Sequence, residues 1–578
     1  MDNEKLRKKL DVLFINLPSV SPELSDTDDA TSADNLTPPL GLMYLANSIK
    51  DREFTNSYKC VDFAIHDYKN VLESGKTGEF VSEELINGGI QKPDVVAVSL
   101  MFSSSYDFFR LVLSKVKKIW PETKVIIGGV HASNTIDYLL KNDRGIDYIV
   151  CGEGEGAFVE FLEMVSTGTE INIKGVHSLN NIKKLGKNLI KDNTHISYSH
   201  SDRPEPEDKY EKSNYVKDFN IDFTAYPDLI NMDKYSSETA LFSLSKTTSS
   251  VRAFSIMASR GCPYSCTFCA SASVHGRMPR WRDLKNVEDE IYWLNKTYGV
   301  TKFYLIDDNY VPKKKAVELF NLLSTIKIEN FEIVIQNMSI NATDHDIIDA
   351  IVSAGINNIA FAIESGSKET QARIKKNVKL EKAIDLVSYS QKKGLNVRCF
   401  YIIGFPGESL AEMRETFEYA KRLGADWSTF SVASPIPGTV MYDEFVNLGY
   451  IEDGPHAWTG TTIRDRVFDT KEINKNDIKD LAYRANLDVN FVNNLSIKNG
   501  DLKNAETIFK NFVKSNDFHI FAYDCLRRIY KANGSVNKEN KIIDRMKLLM
   551  EQDKKAQSFT KYFDLLDKDI QNTLSPYA

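Results

Sequence analysis

The chain has 578 residues, 42% of them hydrophobic and 26% charged, with a formal net charge of -7. That length predicts about three or four domains, and the mild acidity excludes the basic footprint of a nucleic-acid binder. No apolar run reaches the ~20 residues of a membrane span, and seven cysteines, three of them within eight residues, exclude a disulfide framework and point to a reducing cytoplasm.

Met1 to Leu10 carries Lys and Arg, yet the apolar run Val12 to Leu17 is too short for a signal core. We read residues 11–17 as a first strand, followed by a polar loop and a helix that opens at Pro38-Pro39. Further strands are predicted at 59–64, 94–100, 124–129 and 145–150, with helical spacing between them, as in Phe108, Leu111, Val112 and Val116. Near-continuous apolar strands separated by helices predict a doubly wound parallel sheet covered on both faces. A ligand of such a sheet lies outside the carboxyl ends of its strands. Ser99, Gly128, Gly129, Gly152, Glu153, Gly154 and Glu155 gather there.

Residues 171–250 are rich in Asn, Lys, Asp and Ser and read as a surface connection. From Ala253 strand and helix alternate again. Six apolar strands are predicted, at 253–258, 301–306, 331–336, 359–363, 397–403 and 427–432, most of them ending in polar or turn residues. In a barrel such ends form the active face. Beyond about 455 the pattern becomes helical, at 477–494, 502–515, 522–532 and 537–552, with Gly500 and Gly534 as breaks. This tail is expected to cap the barrel; its alternative is a surface for a carrier or protein partner.

The densest chemistry lies just after the first barrel strand. Cys262, Cys266 and Cys269 are separated by three and then two residues, behind the turn Ser259-Arg260-Gly261. A loop after a strand can aim three sulfurs at one point, as an iron–sulfur cluster requires. A structural zinc ion would need a fourth ligand, and the nearest candidate, His275, has an irregular spacing from Cys269.

The C-x3-C-x2-C run, with aromatic Phe268 before its third cysteine, resembles that of the radical S-adenosylmethionine (SAM) enzymes. The resemblance implies a partial (β/α)6 barrel and a 4Fe-4S cluster on Cys262, Cys266 and Cys269, whose open iron binds SAM for reductive cleavage. It also implies SAM contacts. Asp307 and Asp308 stand where Gly-Gly-Glu is commoner; Phe268, Glu364, Gly404, Glu408 and Pro437 occupy the remaining SAM-facing positions. Arg280 and Arg282 match an Arg-x-Arg pattern, to pair with carboxylates that lock the loop or to reach SAM or substrate.

Pro38 to Leu42, Gly128 to Ala132 and Gly152 to Glu155 resemble segments of the cobalamin-binding, flavodoxin-like domain that precedes the barrel in one radical SAM subfamily. The Asp-x-His-x-x-Gly motif is missing, since the second strand runs on as Asp62-Phe63-Ala64-Ile65-His66, so cobalt is expected to lack that histidine. His131 reads as a hydrogen-bonding loop residue within the cobalamin site. The implied layout is a cobalamin-binding domain at 8–170, a linker at 171–250, the barrel at 251–452 and a helical domain at 453–578. The implied activity is methylation of an unactivated carbon; cyclisation or rearrangement would use the same residues, and a docking domain without cobalamin is a third reading. The partners would be a small-molecule or carrier-bound substrate and a reductant such as flavodoxin or ferredoxin.

Overall fold

The computed structural model describes residues 7–18, 37–66, 71, 74–180, 215–235, 252–459 and 466–577. The polar loop after the first strand, and the linker at 181–214 and 236–251, lie outside the described residues.

The N-terminal sheet contains β1 (Leu10–Asn16), β2 (Thr55–Asp62), β3 (Val95–Ser99), β4 (Lys124–Gly128), β5 (Tyr148–Val150) and β6 (Val176–His177), in the order β2-β1-β3-β4-β5-β6. The first five are parallel and β6 runs antiparallel to β5, so the sheet continues past residue 170. Side chains alternate between two cores, as the period of a strand requires. Leu13, Ile15, Val96 and Val98 pack with Phe108 and Phe109 of helix Tyr106–Ile119. Val12, Phe14, Val95 and Ala97 pack with Met43 of helix Leu40–Ile49 and with Phe158 and Phe161 of helix Glu155–Thr167. Burial on both faces is why these strands read as unbroken apolar runs. Registry lines up Asn16, Ser99 and Gly128 along the carboxyl edge.

The second unit has two parallel three-stranded sheets. One has the order β11-β10-β7, from β7 (Ala253–Ile256), β10 (Lys302–Leu305) and β11 (Glu332–Ile335). The other is β12 (Asn358–Glu364), β13 (Asn396–Ile403) and β14 (Trp427–Val432) in sequence order. An isolated parallel bridge between Met338 and Phe361 joins the halves. The result is a six-stranded partial barrel. A short antiparallel pair, β8 (Ser259–Arg260) with β9 (Arg280–Trp281), closes the base of the cysteine loop.

Residues 215–235, read from sequence as part of a surface connection, form the joint between the two units. Tyr226 stacks on Phe254 with ring centroids 5.8 Å apart and donates its hydroxyl to Glu290 at 2.9 Å. Tyr235 donates to Asp62 at 2.7 Å, and the Asn286 side chain bonds both the N–H and the carbonyl of Ile221. Apolar residues of both units therefore belong to one continuous core.

The C-terminal helices have their own core around Phe509, Phe521, Met546 and Phe559. Helix Lys475–Leu487 and the π turn Asp488–Val492 lie along β14. Asn490 accepts from the Ser428 N–H at 2.7 Å and donates to its carbonyl at 2.6 Å; Asn486 makes the same pair, at 3.4 and 3.3 Å, with Phe430. Four helical residues rise about 6 Å, close to the roughly 6.6 Å spanned by two residues of a strand. Two asparagines one turn apart can therefore satisfy alternate residues of β14 as a neighbouring strand would. We expect Asn490→Leu to cost about 2–3 kcal/mol, because it leaves the buried Ser428 N–H and carbonyl unpaired. Thermal unfolding and amide exchange at Ser428 measure this.

Candidate active site

The cysteine loop is held at its base, flanks and tip. Gly261 opens it with φ +92°, and a Cβ there would lie 2.5 Å from the Met278 carbonyl oxygen, so glycine is required. The Cys262 N–H donates to the Gly276 carbonyl at 3.2 Å, and Cys269 N–H to the Cys266 carbonyl at 3.3 Å. Thr267 joins the tip to the barrel, donating to Ile374 at 3.0 Å and accepting from Met441 at 2.9 Å.

Two of the sulfurs face N–H donors, and Lys376 acts on the third. The Asn309 amide lies 3.7 Å from Cys262 Sγ, and the Ser271 N–H 3.5 Å from Cys269 Sγ. Burial raises the Cys266 thiol, with Lys376 acting against it; burial pushes the Cys269 thiol up to about 12, against the Ser271 N–H. Lys376 Nζ lies 3.2 Å from Glu364 Oε1 and 5.9 Å from the centre of the Phe268 ring. Burial opposes the Lys376 charge, but Glu364 and Cys266 outweigh it and raise its pKa. Among the described residues no three His, Cys, Asp or Glu side chains converge as a single-ion site would need. His275 is instead 3.1 Å from Glu153. By donor chemistry, three thiols flanked by N–H donors and a cation suit an iron–sulfur cluster.

The acids after β10 brace this loop. Asp307 is buried; it accepts from the Ser259 N–H, from Ser259 Oγ at 2.6 Å and from the Ala258 N–H at 3.2 Å. Burial pushes its carboxyl up to about 6 against those bonds. Asp308 is half-buried and accepts from the Gly261 N–H at 3.1 Å and from Ser271 Oγ, one near each end of the cysteine run. Glu364 ends β12 with φ +68°. Glu408 is buried and turned back on its own loop, accepting from the Gly404 N–H at 2.6 Å and the Phe405 N–H at 3.1 Å; burial pushes it up to about 7. Arg466 donates to the Gly404 carbonyl at 3.1 Å. Pro437 is buried, and next to it Gly438 lies against Asn134 of the first domain.

The predicted cobalamin residues divide into two groups. Ser99, Gly128 and Gly129 form the carboxyl edge itself. Gly129 has φ +107°, and a Cβ there would meet the Leu100 carbonyl at 2.7 Å. Gly152 donates to Ser133 Oγ at 3.1 Å. His131 is buried, with Nδ1 2.9 Å from Ser103 Oγ and its ring edge-on to Trp458. Burial pushes its imidazole down to about 3. Among the described residues His131 Nε2 and Asn134 Nδ2 are buried polar atoms without a hydrogen-bond partner, and Met101 and Phe102, which follow β3, are 44% and 56% exposed. Glycine edges, exposed apolar side chains and orphaned polar atoms fit a broad amphipathic ligand.

Glu153 and Glu155 instead reach across to the barrel. Glu153 takes both Arg280 guanidinium nitrogens, at 2.8 and 2.6 Å, the Val216 N–H at 2.7 Å and His275 at 3.1 Å, with Arg260 at 3.4 Å. Glu155 accepts from Arg260 at 2.6 Å. Gly154 opens helix Glu155–Thr167 against Leu45. Arg282 pairs with Glu290 at 2.8 Å, both fully buried. The Arg-x-Arg pair therefore locks the cysteine loop, one arginine to the first domain and one to the barrel. Sequence reading missed Lys376 and Arg260 as site residues. Lys376 lies far along the chain from the cysteines and meets them only where the barrel brings its strand ends together, and Arg260 reads as an ordinary turn residue ahead of Cys262.

Three cysteines on a clamped loop at the active face of a partial barrel define the radical SAM class, and the sheet beside them carries an edge for a second large cofactor. Comparison with known proteins agrees. The chain matches the B12 binding domain over residues 27–162 and the Radical SAM superfamily over residues 256–420. It is 29% identical over 472 residues to cytidylyl-2-hydroxyethylphosphonate methyltransferase of Streptomyces wedmorensis, covering 78% of this chain and 86% of that one. An uncharacterized methyltransferase of Pyrococcus horikoshii is 28% identical over 458 residues, with the same coverage. The structure of the radical SAM methyltransferase TsrM from Kitasatospora setae, with cobalamin and a 4Fe-4S cluster bound, superposes with a TM-score of 0.57 at 17% identity, over 78% of this chain and 80% of that one. The chain carries a B12-binding domain followed by a radical SAM domain.

Proposed function

We propose that this enzyme moves a methyl group from SAM, by way of cobalamin, to an unactivated carbon of a small-molecule or carrier-bound substrate. The observation that carries this reading is the junction at Glu153, which fixes the carboxyl edge of the first sheet against the cysteine loop. When bound, the cluster supplies the electron that splits SAM, and cobalamin supplies the methyl carrier. The protein's own residues perform the positioning. Cys262, Cys266 and Cys269 would hold the cluster; Asp308, which pins the loop, would accept from the SAM ammonium; Lys376 would pair with the SAM carboxylate. Glu408 and Arg466 keep the Gly404 turn in shape from behind. Ser99, Gly128, Gly129, His131 and Gly152 line the cobalamin edge. A cytoplasmic flavodoxin or ferredoxin is the natural electron source, and the C-terminal helices serve as a cap.

The test needs no knowledge of the substrate. Protein reconstituted without oxygen with iron, sulfide and hydroxocobalamin is incubated with reductant and methyl-deuterated SAM. The cobalamin recovered is expected to carry the deuterated methyl group, and 5′-deoxyadenosine to accumulate. Formation of 5′-deoxyadenosine with unlabelled cobalamin would overturn methyl transfer in favour of rearrangement.

A further inference from the structure

We infer that Asn309 is a hydrogen-bond donor to the cluster ligand Cys262 and thereby sets the cluster's reduction potential. This rests on reading the cysteine loop as the cluster site. Asn309 is buried and its amide has one orientation: Oδ1 accepts from the Tyr310 N–H at 2.9 Å, which leaves Nδ2 facing Cys262 Sγ at 3.7 Å. Its place is fixed from two sides. Asp307 ties the start of the same turn to Ser259, Ser259 Oγ lies 3.3 Å from the Asn309 carbonyl, and Asp308 holds Gly261, the residue before Cys262.

The chemistry follows from charge. Reduction adds an electron to the cluster and increases the negative charge on its sulfur ligands. A donor aimed at one of them stabilises the reduced state more than the oxidised one and raises the potential. Ser271 makes a comparable contact to Cys269, but through the backbone. Among the described residues Asn309 is the side chain that donates a hydrogen bond to a cysteine of the loop, so the potential is open to substitution there.

The test is a redox titration of the reconstituted holoenzyme followed by electron paramagnetic resonance, without SAM, so that no effect passes through a bound cosubstrate. Asn309→Leu keeps shape and removes the donor; its midpoint is expected to move to more negative values. Asn309→Asp is expected to move it further, because an anion replaces the donor. A leucine variant with full iron content and an unchanged midpoint would overturn the inference. Should the variants lose iron, the unaltered protein decides. With 15N-asparagine, electron–nuclear double resonance of the reduced cluster is expected to show a 15N coupling and an exchangeable proton, and their absence overturns the assignment. Failure of the unaltered protein to take up iron would instead sink the cluster reading.

Discussion

Replacing any one of Cys262, Cys266 and Cys269 by alanine is expected to take bound iron from about four per chain to below one and to abolish 5′-deoxyadenosine formation. Three ligands leave no spare: the loss of one sulfur exposes a second corner of the cluster to solvent. Iron counting, the visible absorption of the reconstituted protein and product chromatography measure the effect. Cys399 and Cys525 supply the controls. Both are fully buried, Cys399 on β13 and Cys525 on helix Ile520–Ala532, where its thiol lies 3.3 Å from the Phe491 carbonyl. Alanine at either position should lower the melting temperature and leave iron content unchanged. Iron retained in full by a Cys266→Ala protein would contradict the assignment of that ligand.

The second large effect is expected at Glu153. Removing one partner of a buried ionic group leaves the others uncompensated and costs about 3–5 kcal/mol. Glu153→Ala would strand Arg280 and deprive Arg260 and His275 of a partner. Because these contacts join two domains, cobalamin affinity should fall together with thermal stability, even though the Glu153 carboxylate is turned to Arg280 of the barrel. Titration of cobalamin binding by absorbance, beside a thermal melt, tests this; unchanged affinity in a destabilised protein would reduce the junction to a purely structural role. The pH dependence has a definite sign. Burial raises the Glu153 carboxyl, but hydrogen bonds from Arg280 and His275, with the charge of Arg260, outweigh it and bring the pKa from 4.5 down to about 2. A depressed acid stabilises above its unfolded pKa, so its contribution of about 3 kcal/mol is complete above pH 4.5 and lost as pH falls through 2.

Much of this molecule was legible because its signals are local. Apolar runs marked the strands of both units, and cysteine spacing marked the loop. What sequence could not give was the direction in which an acid at a strand end faces. Glu153 looked like part of a ligand-facing glycine turn, but its partner Arg280 is 127 residues away. Asp307 and Glu408 stand at SAM-facing positions in the pattern, yet both use their oxygens on nearby backbone N–H groups. The polar composition of 171–250 predicted a surface connection and concealed Tyr226 and Tyr235, aromatics placed to fill a crevice between two sheets. The helix predicted at 477–494 gave no sign of what Asn486 and Asn490 bind, because only the position of β14 reveals it.

Those two asparagines have a consequence beyond stability. A barrel that stops at six strands ends in a bare strand, and bare strands recruit other chains into aggregates. Here the row of β14 groups that would template such growth is occupied from within the same polypeptide. At Ser428 and Phe430 the open side of the wall is therefore closed to the addition of another chain's strand.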